Sequence, residues 1–438
     1  MKLLPILTTK IASSILQLFG RGGSLPGSIA RKMNPDILKT LSLNGPVILV
    51  TGTNGKTTTS NMIADLLIRQ GYHVISNRKG DNLREGITTT LLTHAGLNGR
   101  VNADAVVLEV DELNIRHILP QLPVTHFVVN NFFRDQLDRA REMEQLIESI
   151  ESVLPDYDQT LVLNGNDPNV VRLSLVAKNA RCYYFGMKQT KYSVKHTDEA
   201  SEGKFCPKCG APLAYDYYQY SHIGSFHCTK CDFETPVLDV EIEDIDLDKN
   251  TLNYKNETYP SPHEGMFTMY NCGAVFSIAE LLNIPMEHVQ YVFSHAPQPK
   301  GRNETFVSQG KKCILNLIKN PTGANEVLKV IETDSTKKSV CIVLNDNDQD
   351  GTDISWIYDT FFEKLMNEQT VSIVCSGSRA YDMALRIDYG GFQGTIDVKE
   401  EIPVAVAQAV HDCDNCYVIA TYTALLPTRN AILKELPL

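Results

Sequence analysis

Residues 50–60, VTGTNGKTTTS, place two glycines, a lysine and a run of hydroxyl side chains directly after an apolar segment. Backbone N–H groups at a glycine-rich turn and at a helix N-terminus lack intrahelical partners and sit at the positive end of the helix dipole, so they bind phosphate. Gly52 and Gly55 let the backbone approach closely, with Thr53 and Asn54 between them. Lys56 supplies a point charge for the outer phosphates of a nucleotide, and the Thr57 hydroxyl, followed by Thr58, is placed for Mg²⁺. The spacing is G-x-x-G-K-T, two residues shorter than the common phosphate loop. An ordinary strand-to-helix turn is the competing explanation.

A second set of residues has metal chemistry. FCPKCG and FHCTKC put Cys206, Cys209, Cys228 and Cys231 in two C-x₂-C knuckles, the spacing of a tetrahedral Zn²⁺ site. Four thiolates leave no open coordination position, so such a metal is structural. His222 and His227 read as flanking residues, and the lone CDNC (413–416) as buried thiols beside a strand.

Composition narrows the classes. With 438 residues, 43% hydrophobic and 21% charged, the chain suits two or three globular domains. A net charge of −11 argues against wholesale nucleic-acid binding, which needs lysine and arginine to neutralise phosphates. The eleven cysteines are an odd number with no secretory signal before them, which points to a reducing, cytoplasmic setting. Residues 1–40 hold six Lys or Arg against one Asp. Leu4, Leu7, Ile11, Ile15 and Leu18 recur there at helical spacing. That helix either packs on the protein's own core or leans towards anionic lipid. No segment is long and apolar enough to span a bilayer.

These residues need a frame. VILVT (47–51), HVIS (73–76), AVVLEV (105–110), HFVVNN (126–131) and TLVLNG (160–165) alternate with helical stretches, one of them from about Lys56 to Arg69. That alternation predicts an α/β fold with a mostly parallel sheet covered on both faces. A polar insert near 198–236 interrupts the series, which is expected to resume near Glu264. A second α/β series begins near 311, after the Pro/Gly-rich PQPKGRNE (297–304). The expected units are an N-terminal helical segment (1–40), a central ATP-binding domain (41–300) carrying the zinc-ribbon insert (198–236), and a C-terminal Rossmann-like α/β domain (301–438).

Taken in order, these motifs resemble the Mur ligase superfamily, whose members use ATP to turn a carboxylate into an acyl phosphate that an amine then captures. TGTNGKT is its shortened loop. VLEVDE supplies Glu109 where the superfamily holds Mg²⁺, with a surface carboxylate as the alternative. NNFFRDQLD (130–138) retains Asn131 and Asp135, and LNGNDP (163–168) is similar to its asparagine–aspartate turn. GMFTMYNCGAVFSIA (265–279) resembles its adenine-side helix, which carries Asn271 over, and GR (301–302) places Arg302 at the start of the C-terminal domain. A carboxylate attacking a terminal phosphate needs cations that cancel both anions, a role suited to Lys56 and to Mg²⁺ on Thr57 and Glu109.

A Mur-type centre interrupted by a four-cysteine ribbon is similar to the MurT branch, and the resemblance spans nearly the whole chain. It includes GRGGSLPGSIARK (20–32), YDYYQYSHIG (215–224), KNPTGAN (319–325) and LNDNDQDGTDISWIYD (344–359). It implies ATP, Mg²⁺ and structural Zn²⁺, a GatD-type glutaminase partner in a heterodimer, and lipid II as substrate at the inner face of the membrane. It further implies amidation of the D-glutamate α-carboxylate of the lipid II stem peptide. The acidic loop, with five aspartates between 345 and 359, reads by itself as solvated. The resemblance implies that Asp353, with Asp350 as second choice, completes the partner's Cys–His pair. Arg21, Arg31 and Lys32 either meet a pyrophosphate or merely cap a turn. Several positions depart from the superfamily pattern, among them Asn130, Gln136, Thr268, RAREME (139–144) and NLIKNP (316–321). The last loses groups expected to handle an incoming amino acid, which suits ammonia. A stand-alone Mur-type ligase that adds an amino acid, a paralogue acting on another carboxylate, or a zinc-stabilised nucleotide-binding module are the rival readings.

Overall fold

A computed structural model describes residues 2–18, 23–78, 81–133, 143–197, 202–297 and 301–437. Arg21, Asp135, Gln136 and most of the 139–144 segment lie outside the described residues. The chain forms two compact units, one from the described residues of 1–133 and 144–296, the other from those of 134–143 and 297–438.

The first unit is built on a seven-stranded sheet in the order β2-β3-β1-β4-β5-β6-β9, every adjacent pair parallel. Its strands are β1 (Val47–Thr51), β2 (Val74–Ser76), β3 (Ala105–Glu109), β4 (His126–Val129), β5 (Thr160–Asn164), β6 (Arg181–Met187) and β9 (Val240–Ile242). β1, β3 and β4 are apolar without alternation because helices cover both faces. All five residues of β1 are buried, and each aliphatic one contributes roughly 1.5–3 kcal/mol. Helix α3 (Lys56–Arg69) follows β1 with the bounds its sequence suggests. β1 lies between β3 and β4, so the chain departs to opposite sides of it. The crevice beyond the carboxyl ends of the strands opens at such a switch point.

The insert forms an antiparallel hairpin of β7 (Leu213–Tyr220) and β8 (Ile223–Cys228). The expected direct return to the α/β pattern near Glu264 needs correction. β9 first rejoins the parallel sheet, and β10 (Asp244–Asp246), β11 (Thr251–Tyr254) and β12 (Glu257–Pro260) form a separate antiparallel sheet. The helix Met266–Leu281 comes next and is buried along nearly its whole length.

Helices α1 (Leu3–Leu18), α2 (Ser24–Met33) and α4 (Arg84–His94) belong to the first unit. The sequence allows α1 either to pack on the protein's own core or to turn towards lipid. In the structure it packs against α2 and α4 with Ile6 buried, yet its periodic apolar row is not the packed face. Thr9 and Ser13 are buried, while Leu4, Leu7, Ile11, Ile15 and Leu18 are exposed. Small residues let these helices meet closely. The Gly27 N–H of α2 donates to Thr89 Oγ1 at 2.8 Å, and a Cβ on Gly27 would fall 1.9 Å from the Glu85 carbonyl oxygen.

The second unit carries a six-stranded sheet, β13-β14-β18-β15-β16-β17. β13 (Glu304–Ser308) is antiparallel to β14 (Lys311–Leu317). The remainder, β15 (Lys338–Val343), β16 (Thr370–Ser376), β17 (Thr395–Val398) and β18 (Asn415–Ala420), pair in parallel. Cys416 of CDNC is buried in β18, as its strand context suggests, whereas Cys413 is half-buried.

Candidate active site and metal centre

The β1–α3 turn is shaped by its two glycines. Gly52 has φ +131°, and a Cβ there would stand 3.0 Å from both Asn130 Cβ and the Asn131 amide nitrogen. Gly55 caps α3 with φ +84°, a left-handed conformation that favours glycine, and a Cβ would lie 2.2 Å from Asn271 Oδ1. The turn is latched from β4. The Thr53 N–H donates to the Asn131 carbonyl at 3.0 Å, and the Asn54 N–H to Asn131 Oδ1 at 2.8 Å. Asn131 Nδ2 returns a bond to the Asn54 carbonyl at 3.0 Å. Asn130 Nδ2 donates to Thr59 Oγ1 in α3 at 3.0 Å. The two asparagines therefore hold loop and helix together, and the Thr57 hydroxyl stands on the exposed side of the first turn.

Lys56 folds back over this loop. Its Nζ donates to the Gly52 carbonyl at 2.6 Å and pairs with Glu112 Oε1 at 2.7 Å, both side chains about nine-tenths buried. Glu112 escaped the sequence reading, which took only the first carboxylate of VLEVDE. Its signal was its place three residues beyond Glu109, in the turn that leaves β3 (3₁₀ helix Glu112–Asn114). Glu109 ends β3 opposite Val50 of β1, one strand from the phosphate turn. It is 4% exposed, and Asn82 Nδ2 donates to its Oε1 at 2.9 Å. Asn77 holds its backbone from both sides, accepting from the Glu109 N–H at 2.9 Å and donating to the Glu109 carbonyl at 2.8 Å.

The structure thus brings Gly52–Thr58, Glu109 and Asn271 to one end of the sheet. Asn271 lies against the Gly55 turn, and its buried Nδ2 meets no hydrogen-bond partner among the described residues. Thr268, one turn earlier, is buried and bonds the Glu264 carbonyl at 3.2 Å. Arg302 and Asp353 lie in the second unit, apart from this cluster in the chain.

Behind the latch stands Asp167 of LNGNDP, fully buried. It accepts the Phe132 N–H at 2.9 Å and the Asn169 N–H at 2.9 Å. His222, from the tip of the insert hairpin, puts Nε2 3.3 Å from Asp167 Oδ1 and Nδ1 3.8 Å from Glu202 Oε2. Its ring also packs on Phe133 at 4.8 Å. Burial works against its protonation, yet the two carboxylates outweigh that and hold its pKa above the ordinary value. His222 is a flanking residue with respect to the metal, but it also docks the hairpin behind the nucleotide turn. Only the folded contact could reveal that role.

At the other end of the hairpin the four cysteines converge, with all Sγ atoms within 4.8 Å of one another. Cys206 and Cys231 are 3.5 Å apart, and Cys209 and Cys228 3.4 Å. Tetrahedral zinc with bonds of about 2.3 Å needs sulfurs about 3.8 Å apart, so the quartet fits the ion. Desolvation opposes the Cys228 thiolate, but the Lys230 and Cys231 amides donating to its sulfur pull its pKa down to about 6. Bound metal would lock the ribbon without taking part in the chemistry. Structural zinc contributes on the order of 10 kcal/mol to small metal-folded peptides. Stripping the metal with a chelator, or Cys209→Ser, should therefore lower the melting temperature of the first unit by up to roughly 15–20 °C. It should also weaken nucleotide binding through the His222–Asp167 dock. An unchanged melt in a metal-free sample, checked by elemental analysis, would contradict this.

In the second unit, the loop after β15 is pinned at the carboxyl edge of its sheet. Asp350 is buried, with Oδ1 accepting the Thr423 N–H at 2.7 Å and Oδ2 the Thr423 hydroxyl. It thereby caps the helix Tyr422–Glu435. Asp346 accepts from Ser378 Oγ and Arg379 Nε, each at 2.7 Å, which hold its pKa below the usual range. Asp353 is half-buried, and its Oδ1 accepts the Ser355 N–H at 2.8 Å.

Comparison with known proteins bears on all of these parts. Residues 50–220 match the Mur ligase middle domain family and residues 317–425 the MurT ligase C-terminal family. The chain is 34% identical over 409 residues to the MurT subunit of the glutamine-hydrolysing lipid II isoglutaminyl synthase of Staphylococcus aureus strain COL. That match covers 93% of this chain and 92% of the relative. The chain belongs to the MurT family. The corresponding Streptococcus pneumoniae R6 subunit is 30% identical over 438 residues, covering 98% of this chain and 96% of that one. This MurT-family chain is accordingly a ligase of the Mur type. Its fold is shared with a pseudomurein peptide ligase type C from Methanothermus fervidus (TM-score 0.69, 21% identity, 93% of this chain and 84% of that one). It is shared too with a MurF ligase from Thermotoga maritima solved with ADP (TM-score 0.61, 14% identity, 95% and 85%).

Proposed function

We propose that the chain is the synthetase subunit of a glutamine-dependent amidating enzyme. It would convert the D-glutamate α-carboxylate of the lipid II stem peptide to D-isoglutamine through an acyl phosphate. The observation that carries this reading is the phosphate turn with Lys56 folded over it and Glu109 fixed one strand away, in a chain related over nearly its whole length to lipid II isoglutaminyl synthase subunits.

In this reading ATP lies with its phosphates on the Gly52–Thr58 amides and hydroxyls, and Asn271 contacts it beside Gly55. Thr57 and Glu109 would hold Mg²⁺, and Lys56 would meet the terminal phosphate. Arg302 is a further candidate nucleotide ligand by the family resemblance. The Asn82 bond orients Glu109 for the metal. A carboxylate oxygen of the acceptor attacks the γ-phosphorus, and the bond to the ADP oxygen breaks. Lys56 would neutralise charge on both anions, and Mg²⁺ held by Thr57 and Glu109 would supply further positive charge there. Ammonia from a GatD-type glutaminase then adds to the acyl carbon and loses a proton, and inorganic phosphate departs with the former carboxylate oxygen. Asp353 serves the partner's Cys–His pair by orienting the imidazole. Asp350 is the less suited candidate because Thr423 occupies both its oxygens. Arg31 is held by burial and by Glu85 at 3.9 Å, and with Lys32 it is a candidate for the pyrophosphate. The reaction would take place on the cytoplasmic side, at the membrane face where lipid II resides.

The test combines this chain with candidate glutaminases, ATP, glutamine and lipid II, and weighs the product. The expected acceptor is lighter by the difference between a hydroxyl and an amino group, and the change depends on glutamine or ammonia. An acceptor that instead gains the mass of an amino acid would identify a stand-alone ligase.

A further inference from the structure

We propose that the outer face of α1 and α2 is a docking surface for an anionic lipid bilayer. Leu3, Leu4, Leu7, Ile11, Ile15 and Leu18 of α1 are each between 42% and 84% exposed, whereas the helix buries Pro5, Ile6, Thr9 and Ser13. In α2, Leu25, Ile29 and Met33 recur every four residues and are exposed, while Pro26, Gly27 and Ala30 face inward. Ile6 is the one large aliphatic of α1 that is fully buried; otherwise both helices pack largely through small side chains and turn a row of large aliphatic ones outward. The two rows adjoin, since Thr8 Oγ1 lies 3.6 Å from the Met33 sulfur. An apolar surface of this extent on a soluble fold marks an interaction site.

Charge identifies the occupant. The chain carries −11 overall, yet residues 1–35 contain no Asp or Glu. Of the described cations there, Lys32 is exposed, Lys2 and Lys10 are half-buried and bond the Thr40 and Thr93 carbonyls, and Arg31 is paired with Glu85. Anionic headgroups would repel the rest of the molecule and attract this one face, with the aliphatic rows entering the acyl boundary. A second copy of the chain would oppose like charges across the contact. A protein partner is the weaker fit, because interface cores draw on aromatic residues and α1 and α2 contain none.

The inference deepens the reading that the acceptor is lipid-linked, but vesicles lacking that acceptor test it alone. The full chain, in complex with its glutaminase partner, is sedimented with vesicles of phosphatidylcholine or of phosphatidylcholine mixed with phosphatidylglycerol. Binding is expected to be stronger on the mixed vesicles and to weaken with added salt. Ile11→Glu/Ile15→Glu should reduce it at least about tenfold with an unchanged melt, because both side chains are solvent-exposed. Lys32→Glu should reduce it roughly fivefold or more on mixed vesicles only. Absence of vesicle binding, equal binding by the double variant, binding by the free chain but not by the complex, or a dimer that Ile11→Glu/Ile15→Glu dissociates would each overturn the proposal. Vesicle binding without amidation of lipid II would instead overturn the reading of function and leave this surface standing.

Discussion

Lys56→Ala is expected to abolish ATP-dependent amidation, with a loss of roughly 10²–10³-fold or more in phosphate release. Two effects are mixed in that number, and the structure separates them. The terminal phosphate loses its fixed cation, and Glu112, only 6% exposed, loses its partner at 2.7 Å. Leaving a buried carboxylate unpaired costs several kcal/mol, about 3–5 in measured cases, so the single variant should also melt earlier. Lys56→Ala/Glu112→Gln removes the orphaned charge. It should recover most of the melting temperature and none of the turnover. Lys56→Arg should fail to restore activity, since a planar guanidinium does not reproduce a compact ammonium folded onto the Gly52 carbonyl. Near-normal phosphate release by Lys56→Ala would refute the assignment of this lysine.

Asp353→Asn is expected to lower the glutaminase activity of the complex by up to about 10⁴-fold, the scale seen when a triad loses its orienting carboxylate. Amidation supported by added ammonia should survive, because the nucleotide turn and Glu109 belong to the other compact unit. That split between nitrogen donors distinguishes an orienting role from general damage. Asp350→Ala should behave differently. It removes the acceptor for the Thr423 N–H and hydroxyl and should destabilise the helix that begins at Tyr422. Unchanged glutaminase activity in an intact Asp353→Asn complex would exclude the proposed role.

The features legible in the sequence were those set by short-range geometry. The bounds of α3 follow from a glycine that takes φ +84° and a β-branched strand before it, and the cysteine quartet follows from knuckle spacing. Residues whose meaning depends on long-range contact were not legible. Glu112 gains its importance from a lysine 56 residues away, and His222 from Asp167 and Phe133, both on other elements. Periodicity disclosed that α1 has an apolar face, but not its direction. The partner helix decides that: Gly27 permits the close approach of α2 to α4, and Pro5, Ile6, Thr9 and Ser13 of α1 are the residues turned inward. β9 is only three residues long and follows the insert, too short for its pattern to announce a return to the main sheet.

The most direct test of acyl-phosphate chemistry at this turn follows an oxygen atom. Lipid II carrying heavy oxygen in the D-glutamate α-carboxylate is turned over with ATP and glutamine by the complex, and the inorganic phosphate is weighed. One labelled oxygen in each phosphate released is the predicted result. Label recovered in AMP, or phosphate with no label beside an amidated product, would contradict it.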